Sequence, residues 1–283
     1  MRFGGCIMRI IADTSALYTP AEGENMGLTM IPACVIIGDK AYKDYEDISS
    51  DELLKIIEAG ETPTTSQASI AEVLDVYKKC QEEMLVLPIG DGLSVTYQNM
   101  VSAKNMLKKD KSIHVLDTKT LAGPQWYLVQ KAMKLREQGL DIESIISALK
   151  KCIETSASFV IPLDFNFLKR SGRLTPVAAK IGTLLKIAPI LTQTADKRRI
   201  TLFSIKRTAR RAVAALIEHF KELGVNEKYL ITVSHGGVKE KAAAVIEQFK
   251  EHFASSVYKV FTLPPALITH GGPGCILIQT IMM

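Results

Sequence analysis

Along the chain, short continuous apolar runs alternate with stretches in which apolar residues recur every three or four positions. The runs Met8–Ala12, Met84–Ile89, Ser112–Leu116 and Phe159–Pro162 have strand length, and their continuity predicts burial on both faces. Between them, helical spacing predicts helices near Ser50–Ala59, Ser69–Lys79, Leu93–Leu107, Gly123–Gln138 and Asp141–Ala157. Strand and helix in alternation predict a Rossmann-like parallel sheet with right-handed crossovers.

After residue 159 the pattern changes. Ala188–Gln193 and Ile200–Ile205 flank the polar hexapeptide Thr194–Arg199, which predicts a hairpin. A helix over Arg207–Glu222 follows, with Ala209, Val213, Leu216 and Phe220 at helical spacing. Strands fit Tyr229–Val233, Val257–Thr262 and Cys275–Ile281. The expectation is an α/β protein of two domains: residues 1–159 as a Rossmann-like parallel-sheet domain, and residues 160–283 as an α+β domain. No repeat or low-complexity linker separates them, so they are expected to pack tightly and form a cleft.

Composition narrows the class. With 283 residues, 47% hydrophobic and 23% charged, the chain can bury a core without staples. No run approaches the length of a membrane span, and no secretory signal is legible at the N-terminus. Cys6, Cys34, Cys80, Cys152 and Cys275 are odd in number and widely scattered, which predicts reduced thiols, no zinc site and a cytoplasmic location.

Charge is unevenly spread. Residues 1–159 carry 17 basic and 22 acidic residues, whereas residues 160–283 carry 18 and 8. Between Lys169 and Arg211 there are twelve Lys or Arg against Asp196 alone. Such a stretch steers acidic partners toward it. An acidic protein is favoured over nucleic acid, because Phe203 is its one aromatic residue and base stacking needs more.

Four strings carry candidate chemistry. Ile89-Gly90-Asp91-Gly92-Leu93-Ser94-Val95-Thr96 follows a strand and opens a helix, at the sheet edge where α/β proteins bind ligands. Ser94 reads there as a ligand hydroxyl or, more plainly, as a helix cap. Thr62-Pro63-Thr64-Thr65-Ser66-Gln67 gathers neutral donors suited to a carboxylate or phosphate, or to capping. Leu168-Lys169-Arg170-Ser171-Gly172-Arg173-Leu174-Thr175 offers arginines that fork onto a carboxylate, or a solvated basic turn. His270-Gly271-Gly272-Pro273-Gly274 puts His270 at an expected exposed turn, where an imidazole can donate to an anion. No phosphate loop, dinucleotide fingerprint, zinc-protease helix motif or nucleophile elbow occurs.

In order along the chain, these strings resemble the DegV family, bacterial fatty-acid-binding proteins that serve as the binding subunit of fatty acid kinase. The resemblance runs from Ile10-Ile11-Ala12-Asp13-Thr14-Ser15 and Tyr42-Lys43-Asp44 through the Thr64, Gly92 and Phe167 strings. It continues through Leu184-Leu185-Lys186-Ile187-Ala188-Pro189-Ile190 to His270. The chain departs from the family pattern at Asp91, Val95, Ser171, Ala188 and Gly271, and Asp91 is expected to face solvent. The resemblance implies a fatty acid in a closed tunnel between the domains. Its carboxylate would be held by Thr62 and Ser94, with Arg170 and His270 nearby. It also implies no cofactor and no chemistry by this chain alone, a separate ATP-dependent kinase subunit forming the acyl phosphate that feeds phospholipid synthesis. Arg173 and Arg207 are expected outside the tunnel, where they would dock that subunit. Two other readings remain: an esterase or acyl-transferase using Ser94 with His270, and a nucleic-acid binder using residues 169–211.

Overall fold

The structure, a computed structural model, describes residues 8–107, 112–180 and 187–283. Cys6 and the string Leu184-Leu185-Lys186 lie outside them. A four-stranded, all-parallel sheet has the order β2-β1-β6-β7, from β1 (Arg9–Asp13), β2 (Leu28–Ile31), β6 (Met84–Leu87) and β7 (Ile113–Val115). Beside it, β3 (Cys34–Ile37), β4 (Lys40–Lys43) and β5 (Thr64–Ser66) form a small antiparallel sheet in the order β4-β3-β5. A six-stranded mixed sheet completes the molecule. Its order is β10-β9-β8-β13-β11-β12, from β8 (Ala157–Ile161), β9 (Ala188–Gln193), β10 (Ile200–Lys206), β11 (Tyr229–His235), β12 (Val257–Thr262) and β13 (Ile276–Met282).

The continuous apolar runs of the parallel sheet are explained by helices on both faces. On one face, Ile10, Ala12, Leu85 and Leu87 pack with α5 (Ala122–Glu137) and α6 (Ile142–Thr155). On the other, Ile11, Met84 and Val86 meet Val73 and Tyr77 of α3 (Ile70–Lys79) and Met100 of α4 (Thr96–Asn105). Three helices begin with reciprocal capping boxes. They are Thr19/Glu22 at α1 (Pro20–Asn25), Ser49/Glu52 at α2 (Ser50–Glu58) and Ser69/Glu72 at α3. One face of the mixed sheet is buried by α9 (Ala209–Glu222) and α10 (Lys239–Lys250) around Phe159, Phe220 and Phe249. Short helices α7 (Phe165–Arg170), α8 (Pro176–Ala179) and α11 (Pro265–Gly271) complete the chain.

Two expectations change. The Phe159–Pro162 run is not a strand of the parallel sheet: β8 lies antiparallel between β9 and β13 of the mixed sheet. The fourth parallel strand is β2, an edge strand whose apolar run is interrupted by Thr29. The predicted helix at Arg207 begins instead at Ala209, because Thr208 accepts from Arg211 N as N-cap and leaves Arg207 exposed before it. Among the described residues no helix is long and apolar enough to cross a membrane.

Candidate functional site

A cavity lies between the C-terminal edge of the parallel sheet and the mixed sheet. From the parallel sheet come Asp13 at the end of β1 and Ser15 after it, Leu93 and Ser94 after β6, and Leu121 after β7. The small sheet contributes Thr65 and Ser66, and α11 contributes Ala266, Leu267 and His270. Opposite them stand Val160, Leu191 and Leu277 of the mixed sheet, with Leu168 of α7 and Arg173 beyond it. Aliphatic and polar residues share this wall, and the surface they present to the cavity is mainly apolar. One group of its polar residues comes from the loop after β6, strand β5 and the end of α11; others, Ser158, Thr192 and Gln193, come from the mixed sheet.

In the first of these groups, His270 Nε2 and Thr65 Oγ1 are hydrogen-bonded at 2.8 Å. Burial, with Arg173 and Arg170 close by, pushes the His270 pKa down to about 3, so the imidazole is neutral at pH 7. Ser94 Oγ shares a 2.8 Å hydrogen bond with Thr96 Oγ1 and accepts from Thr96 N at 3.2 Å. Arg173 donates from Nε to Leu93 O at 3.3 Å and from Nη1 to Ser171 O. Those are neutral acceptors. Among the described residues no carboxylate pairs with Arg173, although burial lowers its pKa. A half-buried guanidinium without a counter-ion, beside neutral hydroxyls, suits a monoanionic ligand group.

The elements carrying these groups are themselves tied down. Helix α11 starts at Pro265, so its first turn has a preset φ and lacks one donor. The next free amide, Ala266 N, donates to Asp44 Oδ1 at 3.0 Å, and Thr14 Oγ1 donates to Asp44 Oδ2 at 2.7 Å. Burial pushes the Asp44 pKa up to about 7 against these two bonds. Next to Thr14, Asp13 accepts from Ile89 N at 2.6 Å and from Ser15 N at 2.9 Å, which fixes the loop leading to Ser94. Burial also raises the Asp13 pKa.

The candidate residues from the sequence are divided by this geometry. Ser94 and His270 line the cavity, but His270 sits in the last turn of α11 rather than on an exposed turn. Thr62 is exposed and outside the wall; Thr65, three residues on, takes the place expected of it. Arg170 is exposed, with its guanidinium 3.9 Å from the Phe167 ring centre, close to His270 but not in the wall. Arg173 was expected outside and is in the wall, because the chain after α7 turns inward at Leu174, which is buried. Arg207 is exposed. Asp91 does not face solvent. It is buried, pairs with Arg198 Nη1 at 2.6 Å and accepts from Gln98 Nε2 at 3.2 Å, so its charge is answered outside the ligand site. His270 Nε2 and Ser94 Oγ are each engaged by a different hydroxyl rather than by one another, unlike a base and its nucleophile.

A family model described as "Uncharacterised protein, DegV family" matches residues 8–282. The DegV domain-containing protein YteA of Lactococcus lactis is 29% identical over 281 residues, covering 96% of this chain and 97% of that one. The crystal structure of DegV, a fatty acid binding protein from Bacillus subtilis, superposes with a TM-score of 0.85 at 25% identity. It covers 98% of this chain and 100% of its own. A fatty acid binding DegV family protein from Streptococcus agalactiae gives a TM-score of 0.86 at 26% identity, covering 98% and 99%.

Proposed function

The chain belongs to the DegV family, and we propose that it binds a long-chain fatty acid in the cavity between its sheets and presents the carboxylate to a separate ATP-dependent kinase subunit. The chain itself performs no chemistry in this reading, and the acyl phosphate is formed by the partner. The observation that carries the reading is a mainly apolar cavity surface that meets, beside neutral hydroxyls, the Arg173 guanidinium, which has no carboxylate partner among the described residues. The relatives from Bacillus subtilis and Streptococcus agalactiae, described as fatty acid binding, support the same ligand class. The boundary expected at residue 159 falls within β8.

Energetics favour such a ligand. About 14 methylenes at about 0.8 kcal/mol each give on the order of 11 kcal/mol of gross transfer energy. Association and chain ordering remove several of these. The carboxylate is held by Ser94 and Thr65, with Arg173 supplying the charge and neutral His270 fixing Thr65. Arg170 and Arg207 remain outside and contribute to the basic face on which an acidic kinase surface docks.

Titrating delipidated protein with saturated and unsaturated acids tests the binding step. An acid that fits raises Tm by mass action; no shift with any acid of about 14–18 carbons would overturn the reading. With the kinase subunit added, Arg207→Glu slows acyl-phosphate formation most at low salt and leaves fatty-acid affinity intact.

A further inference from the structure

The polar hexapeptide between β9 and β10 does more than turn the chain. Its flanks, Leu191, Thr192, Gln193 and Ile200, are part of the cavity wall. Its tip lies beside the cavity rather than in its wall, and the tip and its base at Gln193 are fastened at three places to the unit built on the parallel sheet. Arg198 Nη1 lies 2.6 Å from Asp91 Oδ2 in the loop after β6. Lys197 Nζ donates to Ile153 O at 2.7 Å and Ser156 O at 2.8 Å, at the C-terminal end of α6 where the helix favours a cation. Gln193 Nε2 donates to Lys119 O at 3.0 Å in the loop after β7.

Backbone geometry fits this seating. Lys197 adopts a left-handed φ of 61° to aim its ammonium at α6. Gly92 has a φ of +83°, and a Cβ there would lie 2.6 Å from Arg198 O, so only glycine lets the tip approach so closely. The tip is also linked to the ligand site. Ile200 N donates to Arg173 O at 3.0 Å, and Thr175 N donates to Ile200 O at 2.8 Å. Lifting the tip would pull on Arg173 directly.

We propose that the 194–199 tip is a strap at the rim of the cavity, latched by the Asp91–Arg198 ion pair, and that its release limits the exit of the bound acid. The proposal rests on the fatty-acid reading. Asp91 is buried and Arg198 half exposed, so the latch lies at the rim, where it can open without unfolding either sheet. The residue at 91 thereby acts on how long a ligand stays, although it touches none.

The test measures two quantities in wild type, Asp91→Asn, Arg198→Gln and the double variant. One is the dissociation rate of a fluorescent polyene C18 fatty acid. The other is amide hydrogen exchange across residues 193–200 in the ligand-free protein. Each single variant is expected to raise the dissociation rate about tenfold and to speed exchange at the tip. The double variant is expected to match the single ones, because all three remove one bond. Arg198 is largely at the surface, so Arg198→Gln keeps the test alive if Asp91→Asn folds poorly. Unchanged dissociation rates in variants that bind, or additive effects in the double variant, would overturn the strap alone. Wild-type protein that binds no acid would overturn the fatty-acid reading and the strap with it.

Discussion

Thr62 and Thr65 stand in the same hydroxyl-rich string, yet one is exposed and the other is bonded to His270 inside the cavity wall. Periodicity could not separate them, because β5 is only three residues long and its pairing with β3 decides which side chain faces inward. Thr65→Val therefore leaves His270 Nε2 without its partner and is expected to weaken fatty-acid binding by about ten- to hundredfold, in line with about 1–3 kcal/mol for an unsatisfied buried group. Thr62→Ala is expected to change nothing, and equilibrium titration of the two variants side by side checks the assignment. Arg173 gives a second residue-level prediction. Among the described residues its guanidinium has only carbonyl oxygens as partners, so Arg173→Gln should weaken a fatty acid far more than the matching fatty alcohol. Equal losses for acid and alcohol would mean that Arg173 shapes the cavity without meeting the carboxylate.

At the scale of elements, α11 carries His270 at one end and is held by Asp44 at the other. The Asp44 carboxyl has its ordinary pKa of 3.8 raised to about 7 by burial. An unfolded chain releases that proton near pH 4 and the folded one retains it to about pH 7, so folding loses stability as pH rises between those values. Asp44→Asn keeps an oxygen to accept from Ala266 N and removes the titration. Urea unfolding at several pH values should show the gap between wild type and variant shifting by a few kcal/mol from pH 4 to 7, against wild type at the higher pH. A gap independent of pH would contradict the raised pKa of Asp44 and leave its hydrogen bonds to Ala266 and Thr14 untouched. Helix α5 provides the other element-scale test. Gly123 presses against β11, where an added Cβ would fall 2.0 Å from Thr232 Oγ1, and its amide donates to Gln279 Oε1 of β13. Gly123→Ala should cost about 1–3 kcal/mol through this overpacking, read as a lower Tm.

Across the whole molecule, the alternation of strands and helices was legible because both faces of the parallel sheet are covered, which forces apolar runs. The small sheet was not legible: the apolar run of β3, Cys34–Ile37, is only partly buried and its partner β4 is largely polar and exposed, although Gly38 between them, at a φ of 57°, marks the turn. The run at Phe159 looked like a parallel strand because β8 is also buried, and burial does not report strand direction. The site was half legible. Ser94 and His270 stand in strings with clear chemistry, whereas Arg173 and the pairing of Asp91 with Arg198 depend on how loops meet across the cavity. The central claim is that this cavity holds one fatty acid. Native mass spectrometry of the purified protein, followed by denaturation and identification of any released lipid, measures it most directly. The account predicts a one-to-one complex heavier than the chain by one acid of about 14–18 carbons. A mass equal to that of the chain alone, with no acid of this range able to raise Tm after addition, would contradict it.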